Sequence, residues 1–104
     1  MNLQPLVLAL LEGGPLYGYL IAQRARKKAG LKWEEGTLYP LLHKMERGGL
    51  VRSEWREAPG ERRRKYYALT RSGHAALAGA RTDWREQVKA VSRILLGGRH
   101  ADAR

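Results

Sequence analysis

The chain has 104 residues, and its 20 lysines and arginines against 10 acidic residues give a formal net charge of +10. That length fits one domain with a modest core, to which a second subunit would add. The absence of cysteine excludes disulfides, thiolate metal sites and cysteine nucleophiles. No apolar run approaches the roughly 20 residues that span a bilayer, and no signal-peptide pattern begins the chain. We therefore expect a soluble, cytoplasmic protein, and its charge makes a polyanion the leading partner.

The first half of the sequence contains three segments with the 3.6-residue periodicity of amphipathic helices. The first covers residues 3–11 and ends at a Gly-Gly-Pro turn. The second covers residues 17–29 and ends at Gly30, where a left-handed C-cap is favoured. The third covers residues 35–47, and its apolar side chains again recur every three to four positions. Three short helices are therefore predicted before residue 48.

The third predicted helix contains a proline, which restricts where that helix begins. If Thr37 is the N-cap, Pro40 lies in the first turn, where its missing N–H has no intrahelical partner to lose. An earlier start costs one backbone hydrogen bond and can kink the helix. The sequence leaves both starting points open.

A change of period from 3.6 to 2 follows Gly49 and indicates two strands, residues 50–56 and 64–70, joined by a polar tip. Thr70 then caps a long helix over residues 71–96. Three helices, a basic hairpin and a final helix give the order α-α-α-β-β-α. We therefore predict a mainly helical fold with a small β-hairpin, of the winged helix-turn-helix type.

The sequence resembles the PadR-like transcriptional regulators in five places that follow the family's order. These are LYGYLI at 16–21, GTLYPLL at 36–42, ERGGLV at 46–51, RKYYALT at 64–70, and Gly73. Each motif alone is a weak signal, but the set is specific, and the resemblance covers about residues 3–96. It implies a homodimeric DNA-binding repressor whose third helix enters the major groove, and members often respond to small aromatic molecules. Two recognition helices related by a two-fold axis imply a pseudo-palindromic operator.

The resemblance also implies that the last helix packs against the partner's last and first helices. In this sequence Leu77, Trp84 and Val91 recur every seven residues, and Val88 and Leu95 form the interleaved row. Together with two leucines of the first helix, they make up the predicted dimer interface, Leu3, Leu6, Leu77, Trp84, Val88, Val91 and Leu95. The expected division of the chain is a DNA-binding domain at 1–70, a dimerisation helix at 71–96 and a disordered tail at 97–104.

Trp84 is open to two interpretations. It lies midway along the predicted dimerisation helix, where a tryptophan usually packs in the interface. Alternatively, its flat indole offers a stacking surface for a planar aromatic effector at the dimer centre. The sequence does not separate these two roles.

The outward face of the third helix is the candidate surface for reading DNA. There Thr37, Pro40 and His43 would lie near base edges, and Tyr39 and Lys44 would contact phosphates. The alternative is an ordinary solvated helix face on which Tyr39 is partly buried. The family resemblance favours the first interpretation.

The hairpin tip concentrates positive charge. Arg62, Arg63, Arg64 and Lys65 are consecutive cations that would repel one another on an ordinary turn, and contact with phosphates or the minor groove would explain them. A solubilising loop is the alternative. Tyr17, at the start of the second helix, is a candidate for a phosphate contact through its hydroxyl or for core packing.

Nothing in the sequence predicts an enzyme, a metal site or a cofactor. The three histidines lack metal-ligand spacing, and no Gly-rich phosphate loop, nucleophile elbow or close carboxylate pair is present. Two alternatives from other classes remain. One is a small RNA- or ribosome-associated protein that binds structured RNA by shape. The other is a winged helix whose long helix docks a larger protein, which the basic wing disfavours.

Overall fold

The computed structural model describes residues 1–97, which form four helices and three strands. The elements are α1 (Gln4–Leu11), β1 (Leu16–Tyr17), α2 (Gly18–Ala29), α3 (Glu35–Arg47), β2 (Val51–Arg56), β3 (Arg64–Leu69) and α4 (Arg71–Leu95). This order confirms the predicted winged helix-turn-helix arrangement, in which α2 and α3 form the helix-turn-helix and β2 and β3 form the wing. Residues 98–104 of the predicted disordered tail lie outside the described part of the chain.

The sheet has one strand more than the sequence predicts. Its order is β1-β3-β2 with both pairs antiparallel, and Tyr17 lies opposite Tyr66 in the register. β1 has only two residues, so no alternating pattern could show it in the sequence. The pairing joins the helix-turn-helix directly to the wing, because α2 follows β1 without a connecting residue.

One apolar core lies between the helical unit and the sheet. The inner faces of the first three helices supply most of it, and the wing strands and the start of α4 complete it. Tyr67 faces this core with 1% of its surface exposed, whereas its neighbour Tyr66 is only partly buried. Full burial of a large side chain contributes roughly 1.5–3 kcal/mol, so Tyr67 anchors the base of the wing to the helical unit.

Both predicted helix caps are confirmed. Gly30 ends α2 with φ of 69°, the left-handed conformation that favours glycine. At the start of α4, the Thr70 hydroxyl oxygen accepts a hydrogen bond of 3.0 Å from the N–H of Gly73. Gly73 itself is buried, and a Cβ there would overlap the carbonyl oxygen of Leu50. A glycine at this position therefore lets α4 pack directly against the chain that enters the wing.

The start of α3 settles the question of its internal proline. Glu34 is the N-cap, so the start at Thr37 is wrong and Pro40 lies inside the helix. The proline therefore removes the bond that its N–H would have made to the carbonyl of Gly36. Gly36 is exposed, so water can hydrogen-bond that carbonyl.

Candidate nucleic-acid interface

The outward face of α3 lies at the protein surface, although the Tyr39 side chain on it also packs against the core. The opposite side of the helix faces the core through three buried side chains, Leu38, Leu42 and Met45. This leaves the predicted base-reading and phosphate-contacting residues at the surface, with Tyr39 half-buried and four others exposed, Thr37, Pro40, His43 and Lys44. The helix therefore presents a polar face with room for a partner along its length.

Tyr39 is held in place by a glycine of the neighbouring helix. Gly18 is buried at the first position of α2, where the Tyr39 ring packs against its backbone. A Cβ at Gly18 would lie 2.5 Å from the Tyr39 hydroxyl oxygen and 2.6 Å from two ring carbons. The absence of a side chain at Gly18 thus makes room for the Tyr39 ring and its hydroxyl against the start of α2.

The two wing strands place their cations on both faces of the hairpin. Trp55 lies opposite Lys65, and Arg56 lies opposite Arg64, in the antiparallel register. Residues directly opposite each other share a face, and the face alternates along each strand. Trp55 and Lys65 therefore share the face of buried Tyr67, while the two arginines project from the other face.

Each of four wing cations lies over an aromatic ring. The distances from cation to ring centroid are 4.6 Å for Arg56 over Tyr66, 4.7 Å for Arg63 over Trp55, 4.6 Å for Arg64 over Tyr17 and 5.6 Å for Lys65 over Tyr67. Interactions of this kind contribute about 0.5–1 kcal/mol at exposed sites. The sequence shows the cations and the rings but gives no sign of how they pair.

Glu46 joins α3 to the wing, a role that the sequence does not reveal. Its carboxylate accepts a hydrogen bond of 2.6 Å from the Ser53 hydroxyl of β2 and lies 3.8 Å from the Lys65 ammonium of β3. Burial raises the pKa of the Tyr67 hydroxyl, and the negative charge of Glu46 raises it further. One available signal was its position in the last turn of α3, where the helix dipole disfavours an acid without a compensating partner.

A cleft of about 580 Å³ separates α3 from the wing. Most of the predicted DNA-binding residues line this cleft together, Tyr17, Tyr39, His43, Arg62, Arg63, Arg64 and Lys65. Thr37, Pro40 and Lys44 do not line it but lie on the exposed face of α3. The acid among the lining residues is Glu35, so the cleft is strongly positive and suited to a polyanion.

The second half of α4 presents an apolar surface. Trp84 is 64% exposed and Val91 46% exposed, with Val88 and Leu95 on the same helix also exposed. Leu77 departs from the predicted seam because it is only 3% exposed and belongs to the core of its own chain. Its burial follows from the packing of α1 against α4. Two further residues of the predicted interface, Leu6 of α1 and its N-cap Leu3, are half-buried.

A bidentate ion pair fixes α4 to the end of α1. The guanidinium of Arg81 donates hydrogen bonds of 3.0 and 2.8 Å to the two carboxylate oxygens of Glu12. That hydrogen bonding, with the positive charge of Arg81, lowers the pKa of the Glu12 carboxyl and raises the pKa of Arg81. This ion pair supplements the packing of α1 against α4, and no sequence pattern indicates it.

Residues 1–97 offer neither a metal site nor a membrane span. They contain no group of three or more histidine and acidic side chains that could hold a metal ion. The helices within this range also include none that is long and apolar enough to cross a membrane.

Several known proteins with similar sequences and folds are transcriptional regulators. Transcriptional regulator Rv3488 of Mycobacterium tuberculosis is 44% identical over 69 residues, which are 66% of this chain and 60% of that protein. A PadR family transcription regulator from Clostridium difficile has a TM-score of 0.79 at 34% identity, covering 90% of this chain and 97% of that one. PadR of Bacillus subtilis, solved in complex with operator DNA, has a TM-score of 0.67 at 28% identity, covering 79% of this chain and 44% of that one.

The match to the family is extensive. The match to the mycobacterial regulator spans less than two thirds of that protein's length. The family model of the transcriptional regulator PadR-like family nevertheless matches residues 7–79, from α1 into α4. This range includes the helix-turn-helix, the wing and the cleft between them. The chain therefore belongs to the PadR-like family of transcriptional regulators, which are not enzymes.

Proposed function

We propose that the chain is a homodimeric, DNA-binding transcriptional repressor that acts in the cytoplasm. The observation that carries this proposal is the cleft that two side chains of α3, Tyr39 and His43, share with the cations of the wing. A recognition helix beside a basic wing can place one element in the major groove and the other on the sugar-phosphate backbone. Repression then follows from occlusion of a promoter.

The proposed contacts divide into two groups. On α3, Thr37, Pro40 and His43 read base edges, while Lys44 and the hydroxyl of Tyr39 contact phosphates. On the wing, four cations supply phosphate or minor-groove contacts, Arg62, Arg63, Arg64 and Lys65. The first group confers sequence preference and the second supplies affinity that is independent of sequence.

The apolar surface of α4 supports the homodimer. Trp84, Val88, Val91 and Leu95 are spaced by four, three and four residues, the pattern of a helix-helix seam, and all four are exposed. An apolar patch of this kind on so small a protein marks an interaction site. We propose that a second copy covers it, with Leu6 of α1 and the preceding Leu3 at its edge. The two-fold axis then places two α3 helices about one DNA turn apart on a pseudo-palindromic operator.

We also propose that a planar aromatic effector acts at Trp84. The indole is 64% exposed and lies on the face of α4 that would meet the partner, so two indoles would approach the dimer axis. A ligand stacked there would shift the spacing of the two half-sites. Loss of operator binding with a panel of planar aromatics should disappear in a folded Trp84→Leu dimer. If the response persists undiminished, the effector site lies elsewhere.

Selection of duplexes from a random library tests the DNA-binding proposal. The expected result is enrichment of one pseudo-palindromic sequence, bound more tightly than structured RNA at the same salt concentration. The same selection with Lys44→Ala should recover the same sequence at lower affinity, because a phosphate contact carries no sequence information. If no sequence is enriched and structured RNA competes as well as duplex DNA, the RNA-binding alternative replaces this proposal.

A further inference from the structure

Tyr17 occupies the junction between the helix-turn-helix and the wing. It is the second residue of β1 and the N-cap of α2, and it pairs with Tyr66 in the middle of β3. Its ring meets the Tyr66 ring edge to face, with centroids 5.3 Å apart and an interplanar angle of 76°. One side chain thus contacts the wing while its backbone begins the helix that precedes the recognition helix.

The same ring also forms a cation–π interaction with Arg64. The guanidinium carbon of Arg64 lies 4.6 Å from the centroid of Tyr17, and a nitrogen of that guanidinium lies 3.3 Å from the carboxylate of Glu61. Arg64 is half-buried, unlike the exposed Arg62 and Arg63 before it. The Tyr17 ring and Glu61 therefore restrict the positions that this arginine can adopt.

We propose that Tyr17 is a positioning residue for DNA binding, and that its ring rather than its hydroxyl acts, by holding Arg64 at the cleft. The proposal rests on the proposed DNA-binding function. A guanidinium held over a ring already has little of the rotamer freedom that a phosphate contact would otherwise remove. The N–H groups of the guanidinium that do not donate to Glu61 remain able to donate to a phosphate while its flat face stays on the ring. This differs from the phosphate contact through the Tyr17 hydroxyl that the sequence suggests.

Two substitutions separate the ring from the hydroxyl. Tyr17→Phe keeps the ring and removes the oxygen, whereas Tyr17→Leu keeps an apolar side chain and removes the aromatic face. We expect Tyr17→Phe to bind the selected duplex within about twofold of wild type. Tyr17→Leu should bind roughly fivefold to 150-fold more weakly, the scale expected when one arginine in each of two subunits must be immobilised on binding. Equal reductions in affinity for the two variants would overturn the proposal in favour of a hydroxyl contact.

A double-mutant cycle distinguishes positioning of Arg64 from a general structural effect. In an Arg64→Ala background, Tyr17→Leu should have little further effect on duplex affinity. The matched control is Arg63→Ala, because Arg63 lies over Trp55 instead. The effects of Tyr17→Leu and Arg63→Ala should add. A Tyr17→Leu penalty that persists in full without Arg64 overturns the proposal.

The wild-type protein and Arg64→Ala together separate this proposal from the proposed function. If the wild-type protein shows no preference for a DNA sequence, the proposed DNA-binding function itself is contradicted. If the wild type binds specifically and Arg64→Ala binds equally well, only the role of Tyr17 fails. Thermal unfolding and circular dichroism establish that each variant is folded. If Tyr17→Leu does not fold, Tyr17→Met replaces it as a variant of similar size without a ring, and the same outcomes apply.

Discussion

The close packing of Gly18 and Tyr39 predicts a large effect from the addition of one methyl group. In Gly18→Ala, the new Cβ would lie 2.5–2.6 Å from the hydroxyl oxygen and ring carbons of Tyr39. Ordinary contacts between carbon atoms begin at about 3.5 Å, so the ring must move by about 1 Å. Tyr39 is half-buried and can move outward, while Leu38 and Leu42 keep α3 in place. The phenol therefore moves and the helix stays.

The displacement should weaken DNA binding far more than it destabilises the fold. A hydrogen bond from Tyr39 to a charged phosphate is worth about 1.5–3 kcal/mol, so its removal lowers affinity by about 10- to 150-fold at each half-site. The free energy of unfolding should change by less than about 1 kcal/mol, because the ring can swing towards solvent. The assay combines fluorescence anisotropy of a labelled duplex with chemical unfolding of the same variant.

Two controls make this prediction specific. Gly79→Ala adds the same methyl group within α4, where nothing lies within 4 Å of the new Cβ. It should raise stability by about 0.5–1 kcal/mol and leave DNA affinity unchanged. In a Tyr39→Ala background, Gly18→Ala should have no effect on affinity. The reasoning is refuted if Gly18→Ala binds as wild type, or if its reduced affinity persists when Tyr39 is absent.

Four further predictions concern the apolar surface of α4, the wing, the close packing of Gly73 and the ion pair between Glu12 and Arg81. Val91→Asp should dissociate or unfold the dimer, because it places a charge on the apolar face of α4, and a folded monomer that binds duplex normally would contradict this in size-exclusion and binding assays. Replacing both Arg63 and Arg64 with alanine should make the plot of log affinity against log salt concentration less steep. The slope should change by about 0.9 for each phosphate that is no longer neutralised in each subunit, and an unchanged slope means that the wing does not touch DNA. Gly73→Ala should cost about 1–3 kcal/mol in chemical unfolding, since its Cβ overlaps a backbone carbonyl; wild-type stability would show that α4 can shift freely. Because the folded protein lowers the pKa of Glu12 from its ordinary value of 4.5, the ion pair stabilises the folded state at pH values above 4.5. This stabilisation is lost as the pH falls through the lowered pKa. The stability difference between wild type and Glu12→Gln should therefore vanish in acid, and a difference that grows in acid would contradict the assignment.

The features that the sequence predicted correctly depend on local patterns. Apolar periodicity located all four helices and both strands of the wing. Gly30 and Thr70 marked the ends of helices because their capping preferences depend on backbone conformation within a few residues. The exposed face of α3 followed from the same periodicity, since its buried stripe determines the opposite side.

The features that the sequence did not predict depend on contacts between distant segments. β1 exists because two residues meet β3 about fifty positions later, and such a short strand has no pattern of its own. Leu77 matches a heptad, but packing between α1 and α4 turns it into the core of its own chain. Glu46 and the ring partners of the wing cations are similar cases, because pairing depends on the register of β2 and β3. No local rule contains that information.

The most direct test of the central claim is a hydroxyl-radical footprint of the dimer on the duplex recovered by selection. If α3 enters the major groove and the wing contacts the flanking backbone, two protected segments related by a two-fold axis should appear. Their centres should lie about 10 base pairs apart, or a multiple of that spacing. Replacing Arg63 and Arg64 with alanine should remove the outer edge of each segment and leave its centre. A single protected segment, or protection that is uniform along the duplex, would contradict the account.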